Sequence, residues 1–467
     1  MDHDKFLSEI KKQNIDFVDL LFGDLFGLMH HFTIPAKQFD KEILTNGFPF
    51  DGSSIRAWQS IEKSDMVLMP DPSSFYRDPF RKHPTFSVYC DVHDPRTGKP
   101  YPKDPRTILK KSVDYLKKLG IGDTIYFGPE PEFFVFDKVR YSTDRHSSLY
   151  SIESLEALWS SNDENSMGHK IDYKGGYTPT SPMDTLCDYR NDVAKHLETM
   201  GVICELHHHE VATAGQCEIN TRFDKAVLSA DKVYTLKHAI KNTAHAYGKT
   251  ATFMPKPIFG DNGSGMHTHL SIWKDGKNTF DGDKYCSLSQ NALYAIGGIL
   301  KHGRSIQAFT NPSSNSFRRL LPGYEAPVNL VYSSTNRSAA IRIPYANSEK
   351  ARRIEFRCPD SSGSIHLAFA AIVMAVLDGI TNKIDPSKPV DENIYALPKE
   401  RLDQYVSTCK TQEEALEDLE EDMDWLRKGD VFTQELVEAY INHRKENEVE
   451  PLKLRPNPYE FQLYYGV

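Results

Sequence analysis

Five short segments concentrate carboxylates, histidines and arginines at spacings that put them on common faces. In Gly-Pro-Glu-Pro-Glu-Phe-Phe-Val-Phe, residues 128–136, Glu130 and Glu132 are two apart, so on a strand both point to one side. Like charges beside aromatic side chains are driven toward protonation unless a cation neutralises them. The pair therefore reads as metal ligands rather than as an exposed acidic edge. The second segment, residues 207–218, holds three histidines, Glu210, an Ala-Thr-Ala-Gly turn and Glu218. The turn predicts a hairpin that brings Glu210 and Glu218 close across two strands. The protease pattern HExxH fails, because its second His falls on Thr213. On a strand His207 and His209 face one way and His208 the other, so the triplet is no ready tripod. Alone, this segment fits a metal site and a polar core equally.

The third segment runs from Gly260 through Asp261, Asn262, Gly263 and Gly265 to His267 and His269. Its glycines predict a loop whose backbone N–H groups approach a ligand closely, and the two histidines share one strand face. The fourth, residues 315–327, brackets Glu325 between Pro-Gly and Ala-Pro, a segment that cannot be regular. It reads as a structural loop or, more sharply, as a mobile loop carrying Glu325 over a site. In the fifth, residues 352–357, Arg353, Glu355 and Arg357 share one strand face, with Arg337 and Arg342 nearby. That is either a surface ion-pair ladder or a metal ligand between anion-binding groups. Gly248-Lys249-Thr250 imitates the end of a P-loop, but the required upstream Gly is Thr243, so it is a decoy. Mostly oxygen ligands favour Mg²⁺ or Mn²⁺ over Zn²⁺, and arginines beside hard cations suit phosphate chemistry. The residues point to two-metal phosphoryl transfer without naming a substrate.

These groups need a framework. Val18, Leu20 and Phe22 alternate, as do Phe86, Val88 and Cys90, and Pro and Gly cluster between residues 70 and 107. This predicts a short helix over 1–15, then a small mixed-sheet domain over 1–103. Asp104-Pro105 opens a helix, and residues 104–467 form the second domain. Helices are expected over 226–246, 288–302 and, buried, 365–383, with an amphipathic acidic helix over 411–427 carrying Leu416, Leu419, Met423 and Leu426. The class is α+β, with a catalytic part on an antiparallel-leaning sheet.

At 467 residues the chain exceeds one ordinary core. Its net charge of −9 has no basic stripe, against nucleic-acid binding. Seven scattered cysteines without a CxxC pair fit reduced thiols. The first residues lack the apolar region of a secretory signal, and no stretch reaches about 18 uncharged apolar residues. A cytoplasmic location off the membrane is expected.

The motifs Phe-Asp-Gly-Ser-Ser-Ile (50–55), Gly-Pro-Glu-Pro-Glu-Phe-Phe (128–134), residues 207–218, 253–269, Leu-Pro-Gly-Tyr-Glu-Ala-Pro (321–327) and 336–357 together resemble type I bacterial glutamine synthetase. Order and spacing match from about residue 16 to the C-terminal Tyr-Tyr-Gly-Val. The resemblance implies an N-terminal β-grasp domain, a catalytic domain on a curved antiparallel sheet, and two stacked six-membered rings whose sites lie between neighbours. The C-terminal segment would dock on the opposite ring. It implies ligation of ammonia to glutamate with ATP. Glu132, Glu210 and Glu218 would hold the metal nearer glutamate, and Glu130, His267 and Glu355 the metal nearer the ATP phosphates. Asn262 and Gly263 would hold glutamate's backbone groups, with Arg319 and Arg357 on its carboxylates. Phe223, His269, Ser271, Lys350 and Arg353 would surround the nucleotide, and Arg337 and Arg342 the transferring phosphate. Asp51, Tyr177, Glu210 and Glu325 would form the ammonium pocket, with Asp51 and Ser54 supplied by a neighbouring subunit. Tyr395 matches a tyrosine that an adenylyltransferase modifies in some members, although Ala396 replaces the Asp of the enteric pattern. A relative that ligates glutamate to a polyamine, and a non-catalytic homologue, are the alternatives.

Overall fold

The computed structural model describes residues 3–164, 166–392 and 398–467; Tyr395 lies outside them. The alternating residues of the N-terminal part form β1 (Phe17–Gly23), β2 (Met29–Pro35), β3 (Phe48–Asp51), β4 (Asp65–Pro70), β5 (Tyr76–Arg77) and β6 (Thr85–His93). They lie in the order β2-β1-β6-β4-β3, with β5 on β6. β1 runs parallel to β6 and antiparallel to β2, so the sheet is mixed. Val18, Leu20, Phe86 and Val88 face inward and are buried. α1 (His3–Lys12) packs Phe6 and Ile10 beneath it, and α2 (Lys41–Asn46) starts at Asp40, whose carboxylate accepts from Glu42 and Ile43 N–H.

The second sheet contains β7 (Thr124–Phe136), β10 (Cys204–His209), β11 (Gln216–Thr221), β12 (Asp224–Lys225), β13 (Thr250–Thr252), β14 (Met266–Lys274), β15 (Lys277–Asn278), β16 (Asn329–Ser333), β17 (Ala339–Arg342) and β18 (Ile354–Phe356). Its order is β10-β11-β7-β14-β18-β17-β16, and only the β16–β17 pair is parallel. A separate hairpin, β8 (Lys138–Thr143) and β9 (Ser148–Glu153), follows β7.

The helices are α3 (Pro105–Lys118) and α5 (Ala226–Ala246), which pack on β7, α4 (Cys187–Thr199) on β10, α6 (Gln290–Lys301) on β16, α9 (Ile365–Asn382), whose Phe369 stacks on Phe127 of β7, α7 (Gly303–Thr310) on α9, and α8 (Ser316–Arg319). Asp104 caps α3 as its sequence predicts, accepting from Arg106 and Thr107 N–H. Every residue from Ile365 to Gly379 is buried. Among the described residues α9 is the one helix long and apolar enough to cross a membrane, and 83% of it lies inside the fold, the place of a core helix. The acidic helix expected over 411–427 is two, Gln412–Glu421 and Asp424–Arg427. The chain leaves helical geometry at Asp422, whose carboxylate accepts from His302 Nδ1 at 2.7 Å.

The two sheets share one continuous apolar core. They are also joined through buried Arg106, which meets Asp71 and Asp91 of the N-terminal sheet at 2.7 Å each and Asp231 of α5 at 2.9 Å. His366 of α9 adds a fourth arm, 2.9 Å from Asp231.

Candidate active site

β7 runs between β11 and β14, so its residues meet partners on both sides. The register sets His267 opposite Glu130 and Glu218 opposite Glu132. One strand further out, His269 faces Glu355 and His208 faces Glu218. Pairing thus gathers two ligand sets. His208, Glu210 and Glu218 offer atoms all within 4.8 Å of one another, and so do Glu130, His269 and Glu355. Glu132 adjoins the first set, its Oε2 accepting from Gly265 N–H at 2.9 Å and Gln216 Nε2 at 3.2 Å. His267 Nδ1 stands 3.8 Å from both Glu130 and Glu355.

The sets differ electrostatically. Burial, and then the neighbouring charge of Glu210, pushes Glu132 above the usual carboxylate range; burial and Glu132 push Glu218 up as well. Carboxylates crowded in this way are stabilised by a cation. In the second set burial opposes ionisation, but the neighbouring His267 and His269 imidazoles, the latter with Nε2 3.0 Å from Glu130 Oε1, hold Glu130 well below its ordinary value. Glu355 is likewise held down to about 2 against burial, chiefly by Arg357; Arg357 Nη1 reaches it at 2.5 Å and Arg342 Nη1 at 2.7 Å. Burial and Arg357 lower His267 to about 4, which leaves its imidazole neutral and able to ligate.

Both sets open on one cavity of about 420 Å³, also lined by Tyr177, Asn262, Gly263, Arg319, Glu325, Arg337, Arg342 and Arg357. The loop at 260–265 does more than approach a ligand. A Cβ at Gly265 would lie 2.3 Å from Arg319 Nη2, and one at Gly263 would lie 2.3 Å from the Pro255 oxygen. The glycines let the Arg319 guanidinium lie flat beneath the loop. Arg319 donates to the carbonyls of Cys358 at 2.7 Å and Arg357 at 3.1 Å, so it also fixes the chain leaving β18. Glu325 sits at φ +57° on its loop, and its Oε2 accepts from Asn262 Nδ2 at 3.4 Å. Next to it the Tyr324 ring lies between two ammonium groups, Lys174 at 4.3 Å and Lys256 at 3.7 Å from its centroid.

Phe223, His269, Ser271, Lys350 and Arg353 do not line this cavity; His269 and Ser271 lie on β14. The register sets His269 opposite Gly128 and Ser271 opposite Tyr126. Arg353 Nε reaches His269 Nδ1 at 3.2 Å, while Phe223 is exposed and edge-on to Tyr126. Asp51, at the end of β3, and Ser54, in the turn that follows, are exposed and do not line this cavity. Ser53 N–H and Oγ donate to Asp51 at 2.8 and 2.6 Å and Ser54 Oγ at 2.9 Å, which lowers its pKa and keeps it ionised.

The decoy Lys249 pairs with Asp137 and serves the fold. The histidine triplet divides: His208 groups with Glu210 and Glu218, His209 is buried, and His207 accepts from Arg190 Nε at 3.3 Å. Strand alternation from Glu210 back to His208 was the available signal for this grouping. Gln216, Lys174 and Lys256 carry no sequence signal, because their roles depend on partners far away in the chain.

Two carboxylate-rich ligand sets side by side, with arginines over them, define a metal-dependent phosphoryl-transfer enzyme. The family described as glutamine synthetase, catalytic domain, matches residues 102–464, and glutamine synthetase, beta-Grasp domain, matches residues 14–95. The chain is 50% identical to the glutamine synthetase of Azotobacter vinelandii over 466 residues, covering 99% of this chain and 100% of that one. It is 50% identical to that of Pseudomonas aeruginosa, covering 98% of each. The cryoEM structure of Plasmodium falciparum glutamine synthetase superposes with a TM-score of 0.92 at 31% identity, over 100% of this chain and 99% of the other. A GmaS/ADP complex superposes at 0.83 with 27% identity, over 99% of each. The chain belongs to the glutamine synthetase family. Its reaction is the ATP-dependent ligation of ammonia to L-glutamate, which yields L-glutamine, ADP and phosphate.

Proposed function

We propose that the two ligand sets hold a pair of divalent cations, Mg²⁺ or Mn²⁺, and that glutamate is phosphorylated and then amidated in the cavity they share. The sheet register that puts two acidic sets on neighbouring strands supports this most directly. The donors fit: they are mainly carboxylates with one or two imidazoles, and the raised Glu132 and Glu218 lack only a positive charge. Glu132, Glu210 and Glu218, with His208, would hold the cation nearer glutamate; Glu130, His267 and Glu355 would hold the one nearer ATP. When bound, the cations neutralise charge that spreads over the phosphoryl oxygens.

The protein's own groups do the rest. Asn262, Gly263, Arg319 and Arg357 orient glutamate so that a γ-carboxylate oxygen attacks the γ-phosphorus of ATP. The bond to the β-phosphate oxygen breaks and ADP leaves, with Arg337 and Arg342 facing the transferring group. Phe223, His269, Ser271, Lys350 and Arg353 flank the nucleotide, and the ADP bound by the similar GmaS structure supports a nucleotide in this fold. Tyr177, Glu210 and Glu325 surround ammonium, and Asp51 of a neighbouring subunit accepts its proton. The ammonia nitrogen then attacks the acyl carbon and phosphate departs, while the Glu325 loop excludes water. Asp51 and Ser54 do not line their own chain's cavity, which is in keeping with two stacked hexameric rings with shared sites. Residues 1–103 and 104–467 are the two domains, the setting is cytoplasmic, and Tyr395 is the position an adenylyltransferase would modify.

The test is phosphate release and glutamine formation, by mass, from ATP, glutamate and Mg²⁺ or Mn²⁺. Both depend on ammonium under this assignment. Turnover with putrescine and not ammonium moves the pocket to a polyamine ligase, and silence with both amines and both metals rejects the site.

A further inference from the structure

His209, at the end of β10, and Glu156 form a buried pair that the mechanism above does not use. His209 is 0% exposed and does not line the cavity, although His208 and Glu210 on either side of it do. Its Nδ1 lies 2.7 Å from two carbonyl oxygens, those of Gly176 and Glu210. Two acceptors require the proton on Nδ1. Its Nε2 lies 3.1 Å from Glu156 Oε2, and the other oxygen of Glu156 accepts from Thr185 N–H at 2.8 Å and Thr185 Oγ1 at 2.7 Å. The ring is therefore held at both nitrogens. It ties three segments together: the ligand strand, the turn that bears Tyr177, and the chain entering α4.

The Tyr177 turn is fixed from both sides by the same stretch. Gly176 N–H donates to Val211 O at 2.9 Å, and Thr178 N–H donates to His209 O at 3.2 Å. The approach is so close that a Cβ on Gly176 would lie 2.5 Å from the Glu210 oxygen. Between these anchors Tyr177 projects toward the cavity, edge-on to His208 at 5.6 Å. We propose that His209, oriented by Glu156, is a positioning residue that locks Tyr177 against the Glu210 backbone and so fixes the size of the ammonium pocket. The proposal rests on the reading of Tyr177 as a wall of that pocket. A pocket that selects the smallest amine must not yield, because added room admits a methyl group with little penalty.

The test compares Michaelis constants for ammonium, glutamate and ATP, and kcat/KM for methylamine relative to ammonium, in the assembled enzyme. His209→Gln removes the Nδ1 donor. The ammonium KM then rises by about tenfold, the effect of one lost hydrogen bond, while the KM values for glutamate and ATP hold and the methylamine ratio rises. His209→Asn, which keeps a donor near the Nδ1 position, restores the ammonium KM, a rescue that bulk destabilisation would not give. If His209→Gln does not fold, Glu156→Gln, which removes only the orienting charge, shows the same selectivity shift in smaller degree. Tyr177→Ala separates the two layers. If it raises the ammonium KM while the His209 and Glu156 variants change all constants alike or none, the positioning role is overturned. If Tyr177→Ala leaves the ammonium KM unchanged, the pocket assignment itself fails and takes the proposal with it.

Discussion

Replacing Glu218 with Gln sets stability against function. Glu218 is buried, shares a 4.8 Å cluster with Glu210 and His208, and stands opposite Glu132 in the register. At that separation a pair of like charges costs about 3 kcal/mol at an effective dielectric of about 20. The metal-free site escapes part of this by taking up protons, as the raised Glu132 and Glu218 show. The net gain from a neutral amide is then about 1–2 kcal/mol. The amide keeps the shape and its oxygen still accepts from Asn220 Nδ2, 2.7 Å away in the native protein. Glu218→Gln should unfold at a higher temperature than the native protein in EDTA, yet gain less from added Mg²⁺ or Mn²⁺. Thermal unfolding with and without metal, beside metal titration by calorimetry, measures both. A variant less stable in EDTA with an unchanged metal-dependent gain would refute the account of this cluster as a charge-strained cation site.

Three further outcomes follow from the same geometry. Asp51→Ala should preserve metal and ATP binding but lose turnover at low ammonium, and mixing it with Glu355→Ala during assembly should restore partial activity if sites are shared between subunits; no recovery in mixed assemblies counts against sharing. Gly265→Ala forces a methyl to within 2.3 Å of Arg319 Nη2, so it should cost about 2 kcal/mol or more and raise the glutamate KM, read by unfolding and steady-state kinetics. His302 sits between Asp378 at 2.9 Å and Asp422 at 2.7 Å; burial opposes its charge, but these carboxylates raise its pKa. A raised histidine contributes stability that is complete below its unfolded value of about 6.5 and is lost as pH rises through the folded one. His302→Gln should therefore cost more stability at pH 6 than at pH 9, measured as the difference in unfolding midpoint.

The local chemistry of this chain is written in its sequence. Alternation alone puts Glu130 and Glu132 on one face and sets His208 apart from His207 and His209, because a strand has a period of two wherever it lies, and the Ala-Thr-Ala-Gly turn predicts the hairpin between Glu210 and Glu218. Asp104-Pro105 marks the start of α3 for an equally local reason, a carboxylate within reach of free N–H groups. The amphipathic run at 411–427 misled, because a contact with His302, more than a hundred residues earlier, ends the helix at Asp422. The glycines at 263 and 265 predict close approach but not to what; only the fold shows the Arg319 guanidinium beneath them.

What the sequence determined by itself is the set of residue types and their faces, since these depend on backbone geometry within a few positions. The tertiary structure decided which faces meet. The register of β7 against β11 and β14 divides the site's carboxylates and histidines into two sets, and the raised and lowered pKa values arise only from that division. Asp51 is the clearest case: its turn is legible as a carboxylate capped by two serines, yet that it does not line its own chain's cavity follows from packing over long separations, which no local pattern encodes.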